Sequence, residues 1–152
     1  MNKQRVLFIC THNSARSQMA EGLLRHYADD RFDVFSAGID ATAIRPEAIE
    51  VMAEIGVDIS GQKAKALDPF LAQPFDWVIT VCDWARQACP VFPGAEQTAH
   101  WSFEDPEEAL GTEAERLAVF RGVQVEIARR VHQFMLVAER SDLPPHEQVM
   151  LG

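Results

Sequence analysis

The stretch Arg5-Val6-Leu7-Phe8-Ile9-Cys10-Thr11-His12-Asn13-Ser14-Ala15-Arg16-Ser17 decides how the rest of the chain is read. Residues 6–10 form an unbroken apolar run, as expected of a strand buried on both faces. Residues 11–16 are small and polar, which reads as a loop. From Ser17 the pattern turns helical: Met19, Leu23 and Tyr27 recur at steps of four, with Ala20 and Leu24 beside them. Further strands are expected at 32–37, 77–81 and 98–101. Pro46 suits the first turn of a helix that carries Ala48, Ile49, Met52 and Ile55 and stops at Gly56. A short helical piece is expected near Phe70 and another over 83–88, stopped by Pro90. The last strong element is a helix over 113–139, with Leu117, Phe120, Ile127, Val131 and Phe134 on one face. Strands alternating with helices specify parallel pairing. The expected fold is therefore α/β, a single doubly wound domain with a four-stranded parallel sheet and helices on both faces. The domain is read over 1–140, and 141–152, with its Pro144-Pro145 pair, as a loose C-terminal tail.

Composition narrows the function classes. The chain has 152 residues, 47% hydrophobic and 24% charged, which is one ordinary globular domain. Its 14 basic against 23 acidic residues give a net charge of −9. So acidic a chain is a poor candidate for sequence-independent nucleic-acid binding, which needs basic patches. An oxyanion ligand has to be held by a local site working against the overall field. The apolar run at 6–10 is far too short for a membrane span, and no secretory signal pattern precedes it. A cytoplasmic monomer with neither nucleic-acid nor membrane partner is expected. Three cysteines, Cys10, Cys82 and Cys89, are too few for a disulfide scaffold. In a reducing compartment they are more often catalytic, metal-binding or inert.

The loop Thr11, His12, Asn13, Ser14, Ala15, Arg16, Ser17 carries the chemistry. Backbone N–H groups wrapped at a helix N-terminus form an anion-binding nest, reinforced by the helix dipole. Arg16 adds a planar fork that matches a tetrahedral oxyanion. The same donors are expected to lower the pKa of Cys10 and hold it as thiolate, with Ser17 donating to the sulfur. Asn13 is expected to bond the loop backbone and fix its turns. On residue type alone, His12 reads as a solvated loop histidine, as a group tuning the thiolate, or as a metal ligand together with Cys10. Asp105 reads as a turn residue before Pro106, and Cys82 and Cys89 as small core residues.

The loop, with Ser17-Gln18-Met19-Ala20-Glu21-Gly22 after it, resembles the low-molecular-weight tyrosine phosphatase fold, and within it the thioredoxin-coupled arsenate reductase branch. The resemblance runs from about residue 5 to 134. It includes Asp58-Ile59-Ser60, the segment 78–82, Cys89-Pro90 and His100-Trp101-Ser102-Phe103-Glu104-Asp105-Pro106. It implies Cys10 as nucleophile, Arg16 as oxyanion binder and Asp105 as general acid. It also implies a relay. Cys10 attacks arsenate, Cys82 resolves the adduct and releases arsenite, and Cys89 takes over the disulfide, which thioredoxin reduces. Were 82–89 helical throughout, its ends would stand roughly 10.5 Å apart. A disulfide spans about 7 Å at most, so the segment is expected to unwind on oxidation.

Three departures from the family pattern stand out. Glu107 follows Asp105-Pro106 where phosphatases of this fold carry an aromatic residue, which favours the reductase. Ala15 stands where some reductases have a further loop cysteine. Some reductases bind potassium near the loop. Asn13, Glu21 and Ser36 match part of that ligand set, but Lys63 and Lys65 occupy the region of the rest. A lysine cannot coordinate a cation, although its ammonium can replace one electrostatically. Two rival functions remain open: a phosphotyrosine or small-molecule phosphatase, and a non-catalytic oxyanion-binding thiol switch.

Overall fold

A strand buried on both faces belongs in the middle of a sheet, and that is where the first one lies. The computed structural model describes residues 3–83 and 92–141. Strand β1 (Gln4–Cys10) is followed by helix α1 (Arg16–Ala28), β2 (Phe32–Gly38), α2 (Pro46–Glu54), β3 (Phe75–Thr80), β4 (Ala95–His100) and the long α3 (Glu113–Ser141). Short 3₁₀ turns form at Asp68–Phe70 and Pro106–Glu108. The strands are all parallel in the order β2-β1-β3-β4. This is the doubly wound α/β sheet expected, and the strand order reverses on either side of β1. Ligands in such sheets bind at that reversal, beyond the carboxyl ends of the strands.

Alternation along the strands sorts the core into two layers. Val6 and Phe8 of β1, Phe32 of β2 and Trp77 of β3 lie on the α3 side. There Phe134 meets Phe32 at 5.6 Å and Trp77 at 5.1 Å between ring centroids. Phe35 points the other way and meets Phe70 of the 3₁₀ turn at 6.0 Å. Helix α3 packs along both α1 and α2, and buries Phe120, Val123, Ile127, Val131, Phe134 and Ala138. No helix among the described residues is long and apolar enough to cross a membrane.

Several boundaries differ from the sequence expectation. Strand β3 begins at Phe75, two residues before the expected start, and ends at Thr80, so Cys82 lies two residues past it. Strand β4 runs earlier than expected, over polar and half-exposed residues, because an edge strand needs no apolar run. Tyr27, placed by spacing on the buried stripe of α1, is 42% exposed and lies on His132 at 4.5 Å. Glu21 of the same helix is instead buried. Gly56, expected as the stop after α2, takes φ +78°, the left-handed conformation that suits glycine there. Ser141, read as the start of the tail, is the last residue of α3; the rest of the expected tail and most of the expected helix at 83–88 lie outside the described residues.

Candidate active site

The loop between β1 and α1 is shaped by what its carbonyls do. The oxygens of Cys10, Thr11, His12 and Ser14 accept from the backbone N–H groups of Ile39, Asp40, Thr42 and Arg45 at 2.8–3.2 Å. In a trans peptide the N–H opposes the C=O. Tethering those carbonyls to the 39–45 segment therefore turns the following N–H groups toward the inside of the loop. That makes the nest an oxyanion needs. Gly38 permits the close approach: a Cβ there would stand 2.8 Å from both the Asn13 nitrogen and the His12 carbonyl carbon. The 39–45 tether was invisible in the sequence, since irregular extended backbone leaves no periodic signal.

Asn13 takes φ +52° at the tightest point of the loop. Its side chain does not bond the loop's own turn, as expected, but staples the loop to three other segments. Asn13 Nδ2 donates to Ser17 Oγ (2.8 Å) and Ser36 Oγ (2.9 Å), and Oδ1 accepts from the Lys65 N–H and from Gln18 Nε2 (2.8 Å each). With its oxygen accepting from Asn13, Ser17 keeps its own proton for the Cys10 sulfur, 2.8 Å away. Cys10 is 2% exposed. Burial pushes its thiol pKa up, against the lowering pull of the Ser17 hydroxyl, the Ser17 N–H and the Arg16 guanidinium. This direction is the opposite of the one expected from the loop's donors, because burial outweighs them.

The sign of this shift can be tested. A raised folded-state value means the thiol proton stabilises the fold below the unfolded value, and that contribution is lost as pH rises through the folded value. Alkylation of Cys10 by iodoacetamide should rise with pH later than for an ordinary cysteine. Ser17→Ala removes a lowering hydrogen bond and should move that midpoint further up. Each unit costs about tenfold in alkylation rate at neutral pH. A midpoint that falls in Ser17→Ala would contradict the role given to the hydroxyl.

Around the loop the fold gathers the other expected residues from distant segments. Thr11, His12, Arg16, Cys82, Phe103 and Asp105 line a cavity of about 510 Å³ at the carboxyl ends of the strands. Arg16 is 8% exposed, donates to the Phe103 carbonyl at 3.3 Å, and has Asp105 Oδ2 at 3.6 Å. Asp105 caps its own turn, as a residue before proline was expected to, and also faces the cavity arginine. One oxygen accepts from the Glu107 N–H at 3.0 Å, capping the 3₁₀ turn, while the other faces Arg16. Cys82 is buried, its sulfur 3.1 Å from Thr11 Oγ1. His12 is half-exposed and bonds the Asp40 carbonyl at 2.9 Å, a support for the tether. Ser14 donates to Glu107 at 2.6 Å, and Arg45 lies 3.7 Å from that carboxylate, so Glu107 ties the Asp105 turn to the loop. The sequence marked Glu107 only as a missing aromatic residue. Cys89 lies outside the described residues.

The residues matching a potassium site do not suit a potassium ion. Glu21, buried, accepts from Ser36 at 2.5 Å, but its other oxygen holds Arg25 at 2.8 Å. The Lys65 ammonium stands 3.5 Å from Glu21 and donates to the Lys63 carbonyl at 2.7 Å. Two side-chain cations already face one carboxylate, which leaves no negative charge for a third. Among the described residues no cluster of histidine, cysteine, aspartate and glutamate could hold a metal.

An anion nest at a helix N-terminus, closed over a buried cysteine and flanked by an arginine, is the arrangement of cysteine-dependent enzymes that handle tetrahedral oxyanions. Residues 5–143 match the family described as low molecular weight phosphotyrosine protein phosphatase, and the chain belongs to that family. It is 47% identical over 134 residues to the arsenate reductase of Halalkalibacterium halodurans, covering 88% of this chain and 96% of that one. To the arsenate reductase of Bacillus subtilis it is 42% identical, with the same coverage. Among solved structures it resembles an arsenate reductase in the phosphate binding state. The TM-score is 0.76 at 34% identity, over 88% of this chain and 97% of that one.

Proposed function

We propose that this protein reduces arsenate to arsenite through a three-cysteine relay recycled by thioredoxin. The relatives support the substrate, and one observation carries the relay. A second buried thiol, Cys82, stands at the oxyanion cavity and bonds Thr11 of the loop that holds Cys10. Hydrolysis of a phosphate ester needs one thiol. Supplying two electrons needs two.

The chemistry follows from the placed groups. Arsenate enters the nest with its oxygens on the inward N–H groups and Arg16. A thiol plus an oxyanion dianion holds the same protons as a thiolate plus a monoanion. Proton transfer from Cys10 to the bound oxyanion thus yields the nucleophile without adding charge to the site. The Cys10 sulfur bonds to arsenic as an oxygen leaves as water, protonated by Asp105. The Cys82 thiolate then attacks the Cys10 sulfur. A sulfur–sulfur bond forms, the sulfur–arsenic bond breaks, and its electron pair stays on arsenic, which departs as arsenite. Cys89 attacks Cys82 and frees Cys10 as thiolate, and the thioredoxin dithiol reduces the Cys82–Cys89 disulfide. This reading places the enzyme in the cytoplasm as a monomer, where thioredoxin keeps thiols reduced.

Steady-state assay with thioredoxin, thioredoxin reductase and NADPH tests the reading. Arsenate should drive continuous NADPH oxidation. Aryl phosphate hydrolysis without any arsenate-dependent NADPH oxidation would instead favour the phosphatase, whose general acid Asp105 is already beside Arg16. Oxyanion binding with neither activity would leave the thiol switch.

Lys65 also makes a prediction about salt. Because its ammonium already faces Glu21, replacing potassium by tetramethylammonium at constant ionic strength should leave the melting temperature and initial rate unchanged. A rise of several degrees on adding potassium, about 1 kcal/mol for a domain of this size, would reveal a cation site after all.

A further inference from the structure

At the carboxyl ends of β3 and β4, a histidine spans the residue that matters for the second chemical step. Thr80 and His100 are register partners on the two strands. His100 Nδ1 lies 2.7 Å from Thr80 Oγ1, and Nε2 lies 3.0 Å from Asp83 Oδ1. The Ser102 hydroxyl donates to the same Asp83 oxygen at 3.4 Å. A carboxylate only accepts, so Nε2 carries the hydrogen. His100 therefore grips the chain on both sides of Cys82, at the last residue of β3 and at Asp83. Between those two grips Cys82 is buried with its sulfur 3.1 Å from Thr11 Oγ1. The Asp83 side chain is 73% exposed. At that exposure an imidazole–carboxylate contact adds little to global stability, and its effect is local.

We infer that His100 and Asp83 form a clasp that holds Cys82 facing the Cys10 loop, which makes His100 a positioning residue for the attack of Cys82 on the Cys10 adduct. The inference rests on the relay proposed above. The clasp fixes the peptide that carries Cys82 from both sides, while Thr11 meets the sulfur itself. An attack at sulfur is sensitive to small errors in approach.

The test uses the full chain with Cys89→Ser, which halts the relay at the Cys10–Cys82 disulfide. Arsenate is added in a single turnover, and disulfide formation is followed by quenched peptide mapping. His100→Asn places an amide near the Nδ1 position, keeping the Thr80 contact and losing Asp83. His100→Gln reaches the Nε2 position and keeps Asp83. His100→Asn should slow disulfide formation about tenfold, the scale of one hydrogen bond to a charged group, and His100→Gln should stay within about twofold of the parent. Asp83→Ala, at an exposed position, should match His100→Asn, and combining the two should cost no more than either alone. A second readout does not depend on arsenic: with Cys10→Ser and Cys89→Ser together, His100→Asn should raise the alkylation rate of Cys82, and His100→Gln should not. If the Cys89→Ser parent forms no Cys10–Cys82 disulfide with arsenate, the relay fails and the positioning role with it. If the parent forms it and His100→Asn equals the parent in both assays, the clasp alone is overturned.

Discussion

Cys10→Ser should abolish arsenate reduction and any aryl phosphate hydrolysis together, each by about ten-thousandfold or more, the scale of losing a nucleophile. The loop would survive the change. Serine is close in size to cysteine, and the carbonyls of the loop stay tethered to the 39–45 backbone whatever the side chain at position 10. What disappears is the sulfur. A hydroxyl buried to this extent has no accessible anion, and even the thiol of Cys10 is pushed up by burial. Serine also cannot form the bond that carries two electrons away from arsenic. Retained binding of arsenate, read by calorimetry or as a rise in melting temperature, should accompany the loss of turnover. Near wild-type rates in either assay would exclude Cys10 as nucleophile.

Cys82→Ser and Cys89→Ser should each abolish thioredoxin-dependent turnover, while aryl phosphate hydrolysis remains within a few fold of wild type. The two assays share Cys10 and diverge after it, so one pair of variants separates reductase from phosphatase. Cys82→Ser should leave Cys10 unable to hand on its adduct. Cys89→Ser should allow one turnover and then stop with Cys10 and Cys82 bonded. Peptide mapping distinguishes these two end states, and sustained NADPH oxidation by Cys89→Ser would contradict the relay.

The layout of the loop was legible in the sequence because it is local. An apolar run ending in Cys10 and Arg16 opening a helix lie within a few residues, and their spacing alone sets a strand, a loop and a helix in order. The parallel four-stranded sheet was legible for the same reason: alternation of short apolar runs with stretches of helical spacing leaves few ways to bury both faces. Spacing was a poorer guide to burial. Tyr27 keeps the four-residue step of Met19 and Leu23, yet what α3 sets against it is the ring of His132, and it stays 42% exposed. Glu21, a surface residue by type, is buried because Ser36, Arg25 and Lys65 come to it from other segments or from the next helical turn.

By itself, then, the sequence determined the order of the elements, the parallel sheet and the cysteine–arginine loop, because each depends on backbone preferences and side-chain spacing between near neighbours. Only the tertiary structure decided which groups share that loop's cavity and how they act. Cys82 reaches Thr11 from 71 positions away and Glu107 reaches Ser14 from 93. The Cys10 thiol is pushed up where the loop's donors alone implied the opposite. Desolvation is a property of everything packed around a group, and those atoms are supplied by strands and turns that no local spacing brings together.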